Sequence, residues 1–96
     1  KRAYLDQLRE TTSPAFPWEI RENGLRLLYE VGAFNEQNIN DIVQATEHHS
    51  WQFRKFARSI FEAVLEDPAG REVLTRVVKN FPRDEFRYAY LKIETL

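Results

Sequence analysis

The chain contains no cysteine. That excludes disulfides, thiolate nucleophiles and any zinc site built on sulfur. It also points to a reducing compartment, so the expected location is intracellular, cytoplasmic or nuclear. Methionine is absent too, and the chain opens KRAYLDQLRE with no initiator residue. The expected context is therefore a longer protein from which this piece was excised or processed. The three glycines stand apart at 24, 32 and 70, which leaves no glycine-rich loop to cradle a phosphate. No apolar run approaches the roughly 20 residues of a membrane span, so no membrane partner is expected. Charge of one sign is lacking as well. Fourteen basic side chains face fifteen acidic ones, and a net charge of -1 gives no overall pull toward nucleic acid or membrane.

What is present is enough for one domain over residues 1–96. A chain of 96 residues buries roughly 60–65% of its unfolded surface, sufficient for a single core without staples. The 43% hydrophobic and 14% aromatic content argues against disorder. The charge is uneven along the chain. Residues 1–48 hold five basic and eight acidic side chains, whereas residues 49–96 hold nine and seven.

The apolar spacing is helical throughout, and turn residues punctuate it. A short first helix near Ala3–Arg9 places Tyr4, Leu5 and Leu8 on one side, and Pro14 and Pro17 enforce an irregular link after it. A second helix over Trp18–Val31 carries Ile20, Leu25, Leu27, Leu28 and Val31 inward, weakened by Gly24 and closed by Gly32. Asn35 caps a third, with Ile39, Ile42 and Val43 inward and its end near Thr46. Ser50 is placed to cap a fourth over Trp51–Glu66, whose stripe is Phe53, Phe56, Ala57, Ile60, Phe61 and Val64. Asp67-Pro68 starts a fifth, to about Lys79, burying Val73, Leu74, Val77 and Val78. Asn80-Phe81-Pro82 precedes a last helix with Phe86, Ala89, Tyr90 and Ile93 inward. No strand signal competes. The expected fold is an all-α, compact bundle of five to six short helices.

Catalytic chemistry finds few candidates. The two histidines, His48 and His49, are adjacent, where side chains are expected to point different ways and not to converge on a metal or a nucleophile. The spacing of three or four that puts ligands on one helical face is absent. Asp84-Glu85 and Glu66-Asp67 lie at helix ends beside prolines and read as caps. No catalytic residue, metal or cofactor is expected.

Residues 50–59, SWQFRKFARS, are different. Trp51, Arg54, Lys55 and Arg58 are spaced to share one flank, away from the apolar stripe that holds the helix. Tryptophan with arginine is the composition of binding hot spots, and clustered cations suit phosphates. The longer segment DIVQATEHHSWQFRKFA, residues 41–57, resembles the helix-turn-helix pattern of DNA-binding proteins. The resemblance implies that Ile42, Ala45, Phe53 and Phe56 point inward and that residues 25–31 support the pair. It also implies that Ser50, Trp51, Gln52, Arg54, Lys55 and Arg58 are offered to a major groove. The sequence departs from the pattern at the turn, where Glu47 and His48 stand in place of a glycine and an apolar residue.

Two functions emerge as expectations, both non-catalytic. One is DNA binding through the basic flank. The alternative is a protein-protein interaction or oligomerisation module, suggested by the many aromatics, with Phe16 and Trp18 beside Pro17 and with Tyr88 and Leu91 as a possible homo-oligomer contact.

Overall fold

Chemistry at the helix ends sets the element boundaries. The computed structural model describes residues 2–95, and six helices succeed one another: α1 (Arg2–Glu10), α2 (Trp18–Val31), α3 (Glu36–Ala45), α4 (Trp51–Glu66), α5 (Pro68–Val78) and α6 (Arg87–Glu94). No strand occurs among the described residues. The all-α bundle expected from the periodicity is the fold observed.

Asn35 starts α3 by a reciprocal cap. Its Oδ1 accepts the Asn38 N–H at 2.8 Å, and Asn38 Oδ1 accepts the Asn35 N–H at 3.0 Å, so two donors that the helix cannot satisfy are paired. Asp67 Oδ2 accepts the Gly70 N–H at 2.8 Å above Pro68 at the first helical position. Gly32 ends α2 at φ +64°, a left-handed conformation that costs glycine nothing. Ser50, expected as a side-chain cap, makes no such bond. Its backbone N–H donates to His48 Nδ1 at 3.0 Å, which fixes the turn from the other side.

Helix α4 is the hub. Phe53, Ala57 and Phe61 have no solvent contact, and Ile60, Val64 and Leu65 are buried beside them. It packs against α2, α3 and α5. Phe56 departs from the expected stripe. It is half-buried, with the Arg26 guanidinium 5.2 Å from its ring centroid. At the far end Ala89 of α6 is buried, Tyr90 donates its hydroxyl to the Phe81 carbonyl at 2.7 Å, and the Phe81 and Phe86 rings meet edge to face.

Helix α2 corrects the sequence reading. Ile20 and Val31 are 46% and 64% exposed, while the inner face is Arg21, Gly24, Leu25 and Leu28. The helix is rotated because its neighbours need a close approach at Gly24, where a Cβ would overlap Thr11 Oγ1. Beneath that contact lies a buried polar network. Thr12 Oγ1 donates to Asp41 Oδ2 at 2.7 Å, Asn38 Nδ2 donates to Thr12 Oγ1 at 3.0 Å and to the Arg9 carbonyl at 3.1 Å, and Gln37 reaches Asp41 Oδ1 at 3.2 Å. The α1–α2 link is thereby fastened to α3 by hydrogen bonds. Helix α1 has no buried residue of its own, and Tyr4 is exposed. Among the described residues no helix is long and apolar enough to cross a membrane.

Candidate functional site

The five residues between Ala45 and Trp51 turn the chain from α3 into α4, and the first turns of α4 carry the residues singled out in the sequence. Trp51 is 60% exposed, and Gln52 and Lys55 are exposed beside it. Lys55 Nζ lies 5.9 Å from the indole centroid, within cation–π range. Ser50 is half-buried at the head of the helix.

Arg54 and Arg58 behave differently from the freely projecting cations expected. Both are half-buried. Arg54 Nη1 donates to the His48 carbonyl at 2.7 Å. Arg58 Nε donates to the Thr46 carbonyl at 2.9 Å, and its Nη2 meets Glu47 Oε2 at 3.3 Å. Its guanidinium carbon also stands 4.3 Å from the Tyr88 ring centroid. For Arg58 the physical reason is the C-terminal end of α3, whose last carbonyls have no intrahelical donor and carry the negative end of the helix dipole, so that an arginine two turns into the next helix can reach back to the cap carbonyl of Thr46. Arg54 reaches a carbonyl of the turn itself, that of His48, beyond the end of α3. Two of the three cations thus close the turn, and Lys55 is the one that stays outward.

A shallow cleft of about 370 Å³ lies along this flank, bounded by Trp51, Arg54, Lys55, Arg58, Glu62 and Tyr88. The Tyr88 hydroxyl donates to Glu62 Oε2. Burial, together with that carboxylate, raises the Tyr88 phenol above its ordinary range, and the bond lowers Glu62. Tyr88 is therefore committed to α4, edge to face with Phe61 at 5.6 Å, and is not a free surface group. Leu91 remains exposed. The outward stripe of α4 runs from Trp51, Gln52 and Lys55 to Glu62 and Glu66, so cations stand near the positive N-terminus of the helix and acids near its negative C-terminus. This order opposes the one that stabilises an isolated helix and concentrates positive potential at residues 50–58.

Across the turn from this flank is a second, larger cleft of about 900 Å³, lined among others by Phe16, Trp18, Arg21, His48, His49 and Phe86. The histidine rings stack at 4.2 Å, contrary to the divergence expected of neighbours, and His48 sets its edge on Phe53 at 5.0 Å. Burial, with the neighbouring His49, Arg21 and Arg54 charges, holds the His48 imidazole below its ordinary pKa. Trp18 is half-buried with its ring 6.1 Å from Phe53, so it closes the end of the core, while Phe16 is more open.

Arg21 was not singled out from the sequence. The residue is 4% exposed. Its Nε donates to the Thr12 carbonyl at 3.0 Å and its guanidinium carbon lies 4.8 Å from the Phe53 centroid. Nη2 is buried with no hydrogen-bond partner. A signal for it existed in the spacing 21, 24, 25, 28, which is helical but includes two residues that a hydrophobic count ignores.

No protein-family model, no curated protein and no solved structure matches the chain.

Proposed function

We propose that the domain is a non-catalytic protein-interaction module whose contact surface is the outward flank of α4 around Trp51. One observation carries this reading. The core side of α4 is already filled by Phe53, Ala57, Ile60, Phe61, Val64 and Leu65, yet a 60% exposed indole stands on its first turn. Burying the remaining face of such a ring against a partner is worth on the order of 2 kcal/mol. Gln52 and Lys55 supply polar contacts at its edge.

DNA binding by the same residues is the second reading, favoured by the absence of any acidic residue in the first turn of α4. Specific duplex binding usually neutralises several phosphates. Here Arg54 and Arg58 give donors to the turn, which leaves Lys55 as the one outward cation of the three. The balance of charge and exposed aromatic surface favours a protein.

A benzophenone amino acid at position 51 tests the proposal in extract of the source cell. The expected result is a discrete protein adduct, suppressed by excess unlabelled wild-type domain and not by the Trp51→Ala domain. Nucleic-acid adducts, or protein adducts that both competitors suppress equally, would overturn it. Sedimentation of the isolated domain then distinguishes a second copy from a different chain.

A further inference from the structure

Small residues leave space where four helix ends converge. Gly32 closes α2, Ala63 lies in the last turns of α4, and Ala69 and Gly70 open α5. With the start of α3 they bound a groove of about 630 Å³, within the ~300–1,000 Å³ range of pockets that bury a bulky group. Its floor is apolar. Phe34, Ile39, Val64 and Val73 line it, each buried or half-buried. Tyr29 stands at its side, 46% exposed, with its ring 6.3 Å from that of Phe34. The charged residues that line it are both acids, Glu36 and Asp67. Asp67 is exposed and pairs with no cation among the described residues. Glu36 meets Arg76 at 2.7 Å, but both side chains are more than half exposed, so water screens the pair and it yields readily. Glu30 and Glu66, also exposed, adjoin Tyr29 and Asp67 in sequence. Such a groove suits an apolar body with a cation beside it.

The Trp51 flank has that composition: an exposed indole with Lys55 Nζ 5.9 Å from its centroid. It also lies at the other end of the same helix. Trp51 begins α4, and Ala63 and Val64 stand about 18 Å further along the axis at roughly 1.5 Å per residue. No copy can therefore fill its own groove. We infer that the domain associates with itself head to tail, the indole of one copy entering the groove of the next and Lys55 facing its Asp67 and Glu36. This rests on the Trp51 reading and names the partner. The two surfaces differ, so the contact is heterologous and repeats into a chain or ring. Burying the indole removes roughly 150–250 Å² of surface, and a contact that small belongs to the weak, transient class.

Sedimentation equilibrium of the whole chain between about 10 µM and about 1 mM tests the proposal, with a Kd of about 50 µM expected. The mean mass of the wild type should pass that of a dimer at the upper end, and raising salt from about 50 to about 500 mM should lower it. Trp51→Ala removes the knob. Ala69→Arg blocks the groove with bulk and with a charge like that of Lys55, at a position that is exposed and outside the core. Each variant alone should stay monomeric. Mixed in equal amounts they should form a one-to-one dimer and grow no further, because one intact knob and one intact groove remain between them. That rescue also shows that both variants fold. A wild type that stops at a dimer, a single variant that associates as well as the wild type, or a mixture that stays monomeric would overturn the head-to-tail contact. A monomeric wild type whose position 51 still forms an adduct with a different protein would overturn this inference and leave the Trp51 reading standing. A monomeric wild type with no protein adduct at position 51 would overturn both.

Discussion

Two residues carry the sharpest predictions because each does something its type alone does not announce. Trp51 is 60% exposed, so Trp51→Ala should change the unfolding free energy by less than about 0.5 kcal/mol, as surface substitutions usually do. Partner affinity should fall roughly thirtyfold, the equivalent of about 2 kcal/mol. Thermal melts beside a pull-down titration measure both. Gly24 makes the opposite case. Replacing a helical glycine by alanine ordinarily stabilises by up to ~1 kcal/mol. A Cβ here meets Thr11 Oγ1, so Gly24→Ala should instead cost about 1–3 kcal/mol. A denaturant midpoint that rises would contradict the close approach of the Thr11 turn to α2.

The elements most exposed to test are α3, α4 and their turn. Arg58→Ala removes the bond to the Thr46 carbonyl, the contact with Glu47 and the stacking on Tyr88, and should destabilise the domain by about 1–2 kcal/mol. Arg54→Ala loses the bond to the His48 carbonyl, at about 1 kcal/mol. Lys55→Ala, lacking any hydrogen bond to the fold, should be nearly neutral. Urea unfolding of the three variants separates structural cations from the outward one. This division was the part of the site hardest to read from sequence. Spacing placed Trp51, Arg54, Lys55 and Arg58 on one flank correctly, since helical geometry is local. It could not say that the Thr46 carbonyl at the end of α3 and the His48 carbonyl in the turn would draw two of them in, because that depends on how the turn folds back. The caps at Asn35 and Asp67, the closing Gly32 and all six helices were legible for the same local reason. The inner face of α2 was not. Its contacts are polar and steric, through Arg21 and Gly24, and an apolar stripe drawn through Ile20 and Val31 misses them.

For the molecule as a whole, pH dependence and charge decide between readings. The native state resists protonation of His48, because burial first and then the neighbouring His49, Arg21 and Arg54 charges disfavour its charged form. Its contribution is therefore complete above the unfolded value of about 6.5 and is lost as pH falls from there through the depressed folded value. Asp41 acts in reverse. Burial raises its carboxyl, so the native form takes up that proton more readily, and the penalty of its charge is relieved as pH falls through the raised folded value. Between pH 7 and about 5.5 the melting temperature should fall, and His48→Asn, which keeps an acceptor for Ser50, should reduce the fall. Tyr88, raised in the fold, adds a loss above about pH 10, where the unfolded phenol ionises first. Two arginines of the basic flank hold the α3–α4 turn, and on that ground the contact proposed for the flank is through Trp51 and not through phosphates. Titration of a labelled generic duplex at about 50 and about 200 mM salt is the decisive check. The expected outcome is weak binding with a log–log salt slope of about -1 or shallower, set by Lys55 alone. Submicromolar binding with a slope near roughly -3, made shallower by about one on replacing each of Arg54, Lys55 and Arg58, would refute this division of roles.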